Sequence, residues 1–182
     1  MRGSYADKVI EVWAQDEARL GLKPIVRRMW ALRGQRPHSD SRSRYQWLYA
    51  YGFVQPSTGR HFSLLLPKVN TELMGQALEE FGQWADPEGK KVLVLLVDNA
   101  GWHIAKALKV PANVRLHRLP PCTPELQPVE PFWPLLRESV ANRPLADLAE
   151  LRCRVEARDR WLAEHPEVVR GAVGFHWAVN LG

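Results

Sequence analysis

Hydrophobic and polar positions divide the first third of the chain into runs of strand length. "KVIEVWAQDE" predicts a strand that ends close to Asp16, and "VRRMWALRGQRP" predicts a second strand, stopped by Gly34 and Pro37. "YQWLYAYGFVQPSTGRHFSLLLP" is typical of a β-hairpin whose turn, "PSTGR", contains Gly59, a residue free to adopt a positive φ. The N-terminal part is therefore predicted to be a set of antiparallel strands.

In the segment between "VNTE" and "DPEG", apolar residues recur at the spacing of an amphipathic helix. "VNTE" is a helix-capping sequence, and "DPEG" closes the helix. The apolar positions that share one face are Leu73, Ala77, Phe81 and Trp84. Three tryptophans, Trp13, Trp47 and Trp84, are expected in the core.

The remaining pattern predicts a buried strand followed mainly by helices. "KKVLVLLVDNA" is a continuous apolar run that ends at Asp98, as expected for a central strand covered on both faces. A short helix is predicted from His103 to Leu108, and "NVRLHRL" predicts one more strand. Helices are predicted from Glu130 and from Leu145, the second with Leu148, Leu151, Val155 and Leu162 on one face. The pattern indicates a mixed α/β sheet flanked by helices, as a single domain over residues 1–182.

The charge, the apolar runs and the cysteines of the chain indicate which kinds of partner and compartment to expect. The 182 residues carry a net charge of +5, which favours an anionic partner. The apolar runs are too short for a bilayer span, the N-terminus lacks a signal sequence, and Cys122 and Cys153 fit neither a disulfide framework nor a zinc site. We expect a cytoplasmic protein without a membrane partner.

Three acids follow or precede rigid elements, and each has an ordinary explanation when taken alone. Asp16 is compatible with a solvated strand end paired with Arg19, Asp98 with a turn residue, and Glu130 with a carboxylate at a helix start. Taken together, three carboxylates can form a site for two Mg²⁺ ions, with phosphate as the substrate group. His103 could contact that phosphate or orient a carboxylate. The chain has no P-loop, HExxH or GxSxG motif.

The ordered motifs resemble the DDE transposases of the IS630 and Tc1/mariner group. They are "DE" at Asp16 and Glu17, "W...G..P" from Trp30, "DN...H" from Asp98, and "LPP.TPEL.P.E" from Leu119 to Glu130. The last block is the specific one.

The resemblance implies an RNase H-like fold, a five-stranded mixed sheet flanked by helices. It also implies an Asp16, Asp98 and Glu130 triad that uses Mg²⁺, or Mn²⁺ as a substitute, to cut and join double-stranded DNA at transposon ends and target sites. Such a protein would work at the prokaryotic nucleoid, as a homodimer or with a partner that carries the helix-turn-helix reader, which is expected to be absent here. The residues expected to contact DNA phosphates are Arg19, Lys23, Arg27, Arg28, Arg33, Arg36, Lys106 and Arg137.

The sequence departs from the family pattern at several positions. Gln127 replaces the usual Asn, Cys122 replaces an aromatic residue, and Pro134 lies where the helix carrying Glu130 is expected to need a backbone donor. These departures motivate an alternative, a catalytically impaired remnant that only binds DNA or a full-length partner. A third interpretation, an RNase H-like nuclease acting on repair or RNA substrates, leaves the proline-rich block unexplained.

Overall fold

One five-stranded sheet organises the molecule. The computed structural model describes residues 7–23, 25, 27–28, 30–34 and 45–174. The strands are β1 (Val9–Gly21), β2 (Trp47–Val54), β3 (His61–Leu66), β4 (Lys91–Val97) and β5 (Val114–Arg118). The helices are α1 (Thr71–Ala85), α2 (Gly101–Ile104), α3 (Phe132–Arg137), α4 (Leu148–Glu164) and α5 (Pro166–Val173).

The strand order is β3-β2-β1-β4-β5. β1, β2 and β3 are antiparallel neighbours, whereas β4 runs parallel to both β1 and β5. The predicted mixed sheet is therefore confirmed, and its parallel half brings the carboxyl ends of β1 and β4 towards one edge.

The predicted end of β1 near Asp16 is wrong. The strand continues to Gly21, because its second half pairs with β2 from Ala14 to Gly21 after its pairing with β4 has stopped at Ala14. Asp16 thus lies inside a strand that has only one neighbouring strand at that position. Backbone pairing with β2 fixes Asp16 more rigidly than a strand terminus would.

The predicted second strand over residues 26–37 does not form in the described part of that segment. The Arg27 backbone N–H donates to Asn142 Oδ1 at 2.8 Å, and Asn142 Nδ2 donates to the Arg27 carbonyl at 3.1 Å. The backbone of Arg27 therefore bonds to a side chain from beyond α3 and not to a strand. Gly34 has a φ of 88°, as a turn requires, and Pro37 lies outside the described residues.

The hairpin and α1 match the prediction closely. Gly59 in the hairpin turn has a φ of 79°, and Asn70 caps α1 by accepting from the Leu73 backbone N–H at 2.8 Å. Two of the tryptophans expected in the core are not buried, since Trp47 is 40% and Trp84 41% exposed. Each has an arginine over its ring, Arg19 at 5.4 Å from the Trp47 centroid and Arg60 at 5.1 Å from the Trp84 centroid.

The helices after β4 differ from the prediction in their limits. α2 ends at Ile104 and does not reach Leu108, and α3 begins at Phe132, two residues after Glu130. The helix predicted from Leu145 begins at Leu148 and ends at Glu164, and a separate helix, α5, begins at Pro166. Leu151, Val155 and Leu162 are buried as expected, and Leu148 is partly buried.

The sheet separates two hydrophobic clusters. Alternate residues of β1 point to opposite faces, so Ala14 packs against α3, α4 and α5 while Trp13 packs against α1. Phe81 of α1 lies edge-on to Trp13 and stacks on Phe53 of β2, with ring centroids 5.1 Å and 4.4 Å apart. No helix in the described part of the chain is long and apolar enough to cross a membrane.

Candidate active site

Three acidic side chains from distant segments border one cleft at the edge of the sheet. The last parallel pair between β1 and β4 is Ala14 with Leu96, and Asp16 and Asp98 each lie two residues beyond it. The cleft has a volume of about 440 Å³. Its lining comprises Asp16, Asp98, Asn99, Ala100, Leu119, Pro120, Pro121, Cys122, Thr123, Gln127 and Glu130. The fold thus brings together the three acids that the sequence singled out.

Asp16 is a partly buried carboxyl group that accepts hydrogen bonds from a tryptophan side chain and from the Glu17 backbone. The indole Nε1 of Trp133 donates to Asp16 Oδ2 at 3.0 Å. Burial, together with the smaller effects of the charges of Glu17 and Glu130, raises the pKa of Asp16 to about 7, although the hydrogen bonds from Trp133 and from the Glu17 backbone oppose the rise. Without a bound cation, Asp16 is therefore largely protonated below neutral pH.

A glycine makes room for the indole that contacts Asp16. Gly52 of β2 pairs with Asp16, and a Cβ atom at Gly52 would lie 2.6 Å from Cη2 of Trp133. Trp133 is 2% exposed, so its ring has no free space into which it could move. The absence of a side chain at Gly52 therefore lets the Trp133 ring pack against the sheet beside Asp16.

Asp98 is tied to the start of α2 and to His103. Its Oδ1 accepts from the Ala100 backbone N–H at 2.9 Å and contacts His103 Nδ1 at 2.7 Å. The first contact is the turn role that the sequence allowed, and the second is the carboxylate-orienting role considered for His103. The Asp98 side chain is still 52% exposed, which leaves it accessible from the cleft.

A second buried acid, Glu17, holds the other side of His103. Glu17 Oε1 lies 3.3 Å from His103 Nε2 and accepts from Gln15 Nε2 at 2.7 Å, while Trp102 Nε1 donates to Glu17 Oε2 at 3.1 Å. The side chains of His103 and Glu17 are 1% and 5% exposed. Burial alone would lower the pKa of His103, but the hydrogen bonds and charges of Glu17 and Asp98 raise it above its ordinary value.

Sequence reasoning gave Glu17 no role beyond its place in the "DE" pair. The signal available was the alternation of β1, which puts Glu17 on the same buried face as Trp13 and Gln15. A carboxylate at an inward strand position needs donors, and here they come from Gln15 of β1 and from Trp102 of α2.

The proline-rich segment is anchored to the sheet at both ends. Near its start, Asn99 Nδ2 donates to the Leu119 carbonyl at 2.7 Å. Near its end, Gln127 is 5% exposed and its Nε2 donates to the Gln15 carbonyl at 3.1 Å. Gln127, a departure from the family pattern, therefore makes a buried contact directly beside Asp16.

Cys122, another departure, takes a left-handed backbone conformation with a φ of 58°. Its side chain is exposed and borders the cleft.

Pro134 does not disturb the helix after Glu130. It is the third residue of α3, within the first turn, where backbone N–H groups have no partner inside the helix. The expected conflict assumed that the helix begins at Glu130, and the later start removes it. Glu130 itself is exposed at the cleft, whereas Glu125 does not line it.

The three carboxylates at the cleft are suitable ligands for a hard divalent cation, but their side chains do not converge on a common metal position. Among the described residues, no group of three His, Cys, Asp or Glu side chains is arranged to hold a metal ion. Asp16, Asp98 and Glu130 nevertheless present carboxylate oxygens, the ligands that Mg²⁺ prefers, to a single cleft. The raised pKa of Asp16 reflects burial and neighbouring negative charge, both of which a cation would offset.

Only some of the Lys and Arg residues that were expected to contact DNA phosphates line a cleft. Arg19, Lys23 and Arg137 line a second cleft at the end of β1. Arg27 instead forms an ion pair with Glu138 and donates to the Pro134 carbonyl at 3.1 Å. The others do not line either cleft or fall outside the described residues: Arg28, Arg33 and Lys106 are exposed, and Arg36 is not described.

Comparison with known proteins identifies the family. The family model described as DDE superfamily endonuclease matches residues 11–152. The "Uncharacterized protein y4pE/y4sA" of Sinorhizobium fredii is 37% identical over 133 residues, which is 72% of this chain and 97% of that protein.

Solved structures of Mos1 mariner transposase have the same fold. Its catalytic domain matches with a TM-score of 0.54 and 15% identity, over 95% of this chain and 85% of that one. The Mos1 paired end complex with Mg matches with a TM-score of 0.61 and 19% identity, over 93% of this chain but only 52% of that one. This chain thus spans about half the length of the longer Mos1 chain. These matches confirm the RNase H-like fold, and the chain belongs to the DDE superfamily endonucleases, with the catalytic-domain fold of a mariner-type transposase.

Proposed function

We propose that the protein is a divalent-metal-dependent DNA endonuclease and strand-transfer domain, with Asp16, Asp98 and Glu130 as its catalytic carboxylates. The observation that carries the proposal is that these acids, from three separate segments, border a single cleft at the carboxyl end of parallel strands. The family match supports the reaction class, because it covers all three positions.

Each carboxylate has a distinct support. Asp16 is held by the sheet and by Trp133, Asp98 is oriented by His103 and the Ala100 N–H, and Glu130 stands at the end of an anchored, proline-rich segment. His103 acts as a positioning residue through Asp98. When bound, Mg²⁺ or Mn²⁺ would activate the attacking hydroxyl group and stabilise the leaving oxygen of a phosphodiester.

The proposed metals and substrate agree with the Mos1 structures. Mos1 paired end complexes are described with Mg and with Mn, and another is described with the left transposon end. We extend this to the present chain as use of either metal on double-stranded DNA, at transposon ends and at target sites. Assembly as a homodimer, or with a partner that supplies a DNA reader, and action at the prokaryotic nucleoid are parts of the same proposal.

The decisive test is cleavage of DNA by the whole chain. A supercoiled plasmid and a labelled duplex that carries the DNA flanking the gene are incubated with Mg²⁺ or Mn²⁺, with and without EDTA. We expect metal-dependent nicking by the wild type and a loss of at least about a hundredfold in Asp98→Ala. Equal cutting by the wild type and Asp98→Ala would refute the proposal.

The proline-rich segment offers a matched control. Glu130 and Glu125 are both exposed and only five positions apart, yet only Glu130 borders the cleft. Glu130→Gln is therefore expected to abolish cutting, whereas Glu125→Gln, with the same change of charge, retains it. Equal loss in both variants would point to net charge and not to the triad.

A second candidate function is that of a non-catalytic DNA-binding or partner-binding remnant. It is favoured by the finding that no three acidic, His or Cys side chains in the described part of the chain are arranged around a common metal position. Calorimetric titration with Mn²⁺ distinguishes the two functions. Binding that disappears in Asp98→Ala supports the endonuclease, and the absence of binding in the wild type supports the remnant.

A further inference from the structure

The segment that follows β1 is fastened to the chain just beyond α3. Ile25 and Ala141 form an isolated parallel bridge, and the Asn142 backbone N–H donates to the Ile25 carbonyl at 2.9 Å. The side chain of Asn142 bonds to both the backbone N–H and the carbonyl of Arg27. Backbone and side-chain bonds outside the sheet therefore join the continuation of β1 to the end of α3.

The Arg27 side chain contacts α3 itself. One guanidinium nitrogen pairs with Glu138, the residue after α3, and the other donates to the Pro134 carbonyl at 3.1 Å. The Arg27 side chain is 34% exposed, so these contacts are partly shielded from solvent. A planar guanidinium that donates to two acceptors constrains their orientation as well as their distance. Arg27 therefore restricts rotation of α3 as well as its movement away from β1.

α3 depends on such contacts because it is short. It has six residues, and helices of fewer than about 12 residues are marginally stable without tertiary packing. Trp133, the neighbour of Pro134, donates to Asp16 Oδ2 at 3.0 Å, and its backbone N–H donates to the Glu130 carbonyl at 3.3 Å. A shift of α3 would therefore move the indole and displace Glu130 relative to Asp16.

We propose that Arg27 is a positioning residue that keeps Glu130 at a fixed place relative to Asp16, and that Asn142 holds Arg27 in position for this role. The inference rests on the proposed function, in which Asp16 and Glu130 share a metal site. Trp133 provides one link between β1 and α3, and Arg27, further along the segment that carries Asp16, provides a second. Two separate links prevent α3 from pivoting about the indole.

The test follows the surroundings of Trp133 without metal or DNA. The chain contains eight tryptophans, and labelling with 5-fluorotryptophan gives each one a ¹⁹F resonance. The resonance that disappears in Trp133→Phe is that of Trp133. We expect Arg27→Gln to shift this resonance and, in separate calorimetry, to lower the affinity for Mn²⁺ about fivefold, the size of effect that accompanies loss of a partly exposed ion pair and a hydrogen bond.

A second variant loosens the same contact from the other side. Asn142 has a φ of 54°, a conformation that glycine adopts freely, so Asn142→Gly removes the side-chain bonds to Arg27 without straining the backbone. It should shift the Trp133 resonance and weaken Mn²⁺ binding in the same direction as Arg27→Gln.

Reversing the ion pair provides a rescue. Arg27→Glu places two acidic side chains together and should shift the Trp133 resonance and weaken Mn²⁺ binding. Adding Glu138→Arg should recover part of both, because the ion pair is restored whereas the bond to the Pro134 carbonyl is not. An effect of Arg27→Glu that the second substitution leaves unrelieved would count against the inference.

Arg154 provides a matched control. It pairs with Glu150 within α4 at 2.8 Å, and its side chain is 37% exposed, close to the value for Arg27. Arg154→Gln removes the same charge from a similar ion pair, but it should leave the Trp133 resonance and the affinity for Mn²⁺ unchanged. Equal effects of Arg27→Gln and Arg154→Gln would overturn the inference.

An unchanged Trp133 resonance in both Arg27→Gln and Asn142→Gly would also overturn it. If Arg27 instead contacts a DNA phosphate, Arg27→Gln should weaken DNA binding and reduce its salt dependence by about one ion, with the resonance and the Mn²⁺ affinity unaltered. Failure of the inference leaves metal binding and cutting by the wild type intact. Absence of Mn²⁺ binding in the wild type would refute the proposed function, while the metal-free resonance would still show whether Arg27 holds α3.

Discussion

Replacing Asp16 with asparagine should make the protein more stable at alkaline pH and leave its stability nearly unchanged in acid. The substituted amide would keep an oxygen that can accept from Trp133 Nε1, so the main loss is the ionisable proton. The carboxyl group of Asp16 keeps its proton up to a pH of about 7 in the folded protein, against 3.8 for an ordinary aspartate. Between these values the folded state binds more protons than the unfolded state, so the free energy of unfolding falls as pH rises.

The size of the effect follows from the pKa difference. A rise from 3.8 to about 7 corresponds to about 4 kcal/mol of destabilisation once Asp16 is fully ionised. Because the side chain is partly exposed and solvent screens its charge, we expect a measured difference of roughly 2 kcal/mol at pH 8. His103, whose pKa is also raised, adds a fall in stability in the same direction, but it is present in both proteins and cancels in the comparison.

The assay is urea denaturation in EDTA, followed by circular dichroism, at half-unit steps from pH 4.5 to 8.5. The difference between Asp16→Asn and the wild type should grow from near zero to about 2 kcal/mol in favour of the variant. Saturating Mg²⁺ at pH 8 should then stabilise the wild type and narrow the gap, because an ion that binds only the folded state raises its stability.

Glu125→Gln, which removes an exposed carboxylate that does not line the cleft, is measured beside Asp16→Asn as the matched change of charge. A difference between Asp16→Asn and the wild type that does not vary with pH would refute the raised pKa of Asp16. A variant less stable than the wild type at pH 8 would show that the carboxylate is stabilised, and not disfavoured, by its surroundings.

Three further substitutions test the supports of the site. Glu17→Gln should lower the affinity for Mn²⁺ about tenfold in calorimetry, because His103 loses the buried charge that orients it; unchanged affinity would contradict this role. Gly52→Ala should cost about 1–3 kcal/mol in urea denaturation, since its Cβ would lie 2.6 Å from Trp133, and an unchanged midpoint would show that the ring can move. Gln127→Ala should cost about 1–3 kcal/mol by leaving a buried carbonyl without its donor; a near-neutral result would indicate that water replaces the amide.

The elements that the sequence predicted well are those whose pattern is local. The run ending at Asp98 contains only apolar residues after its lysines, and Asn70 caps α1 three residues from the N–H that it accepts from. The hairpin turn could be predicted from Gly59 itself, because glycine readily adopts the positive φ that this turn has. In each case the relevant physical partner lies within a few residues, so pattern and structure agree.

The limits of β1 could not be predicted because its partners are distant in the sequence. Three consecutive polar residues, Gln15, Asp16 and Glu17, interrupt the apolar pattern and suggest the end of a strand. The strand continues because β2 pairs with its second half, and the polar side chains are tolerated because Trp133, 117 residues away, donates to Asp16 and Trp102, 85 residues away, donates to Glu17. A local pattern carries no information about donors at such separations, and functional sites are where this kind of conflict is expected.

The direction of the proline-rich segment, Leu119 to Glu130, is likewise set by long-range contacts. Prolines alone restrict the backbone but do not determine where the segment points. Direction comes from its anchors, the Asn99 bond to the Leu119 carbonyl at one end and the Gln127 bond to the Gln15 carbonyl at the other. Because the second anchor lies next to Asp16 in β1, it ties Glu130, three residues further on, to the strand that carries the first acid. A stiff segment fixed at both ends needs no further contact to Glu130, which leaves that side chain exposed and free to turn towards a cation.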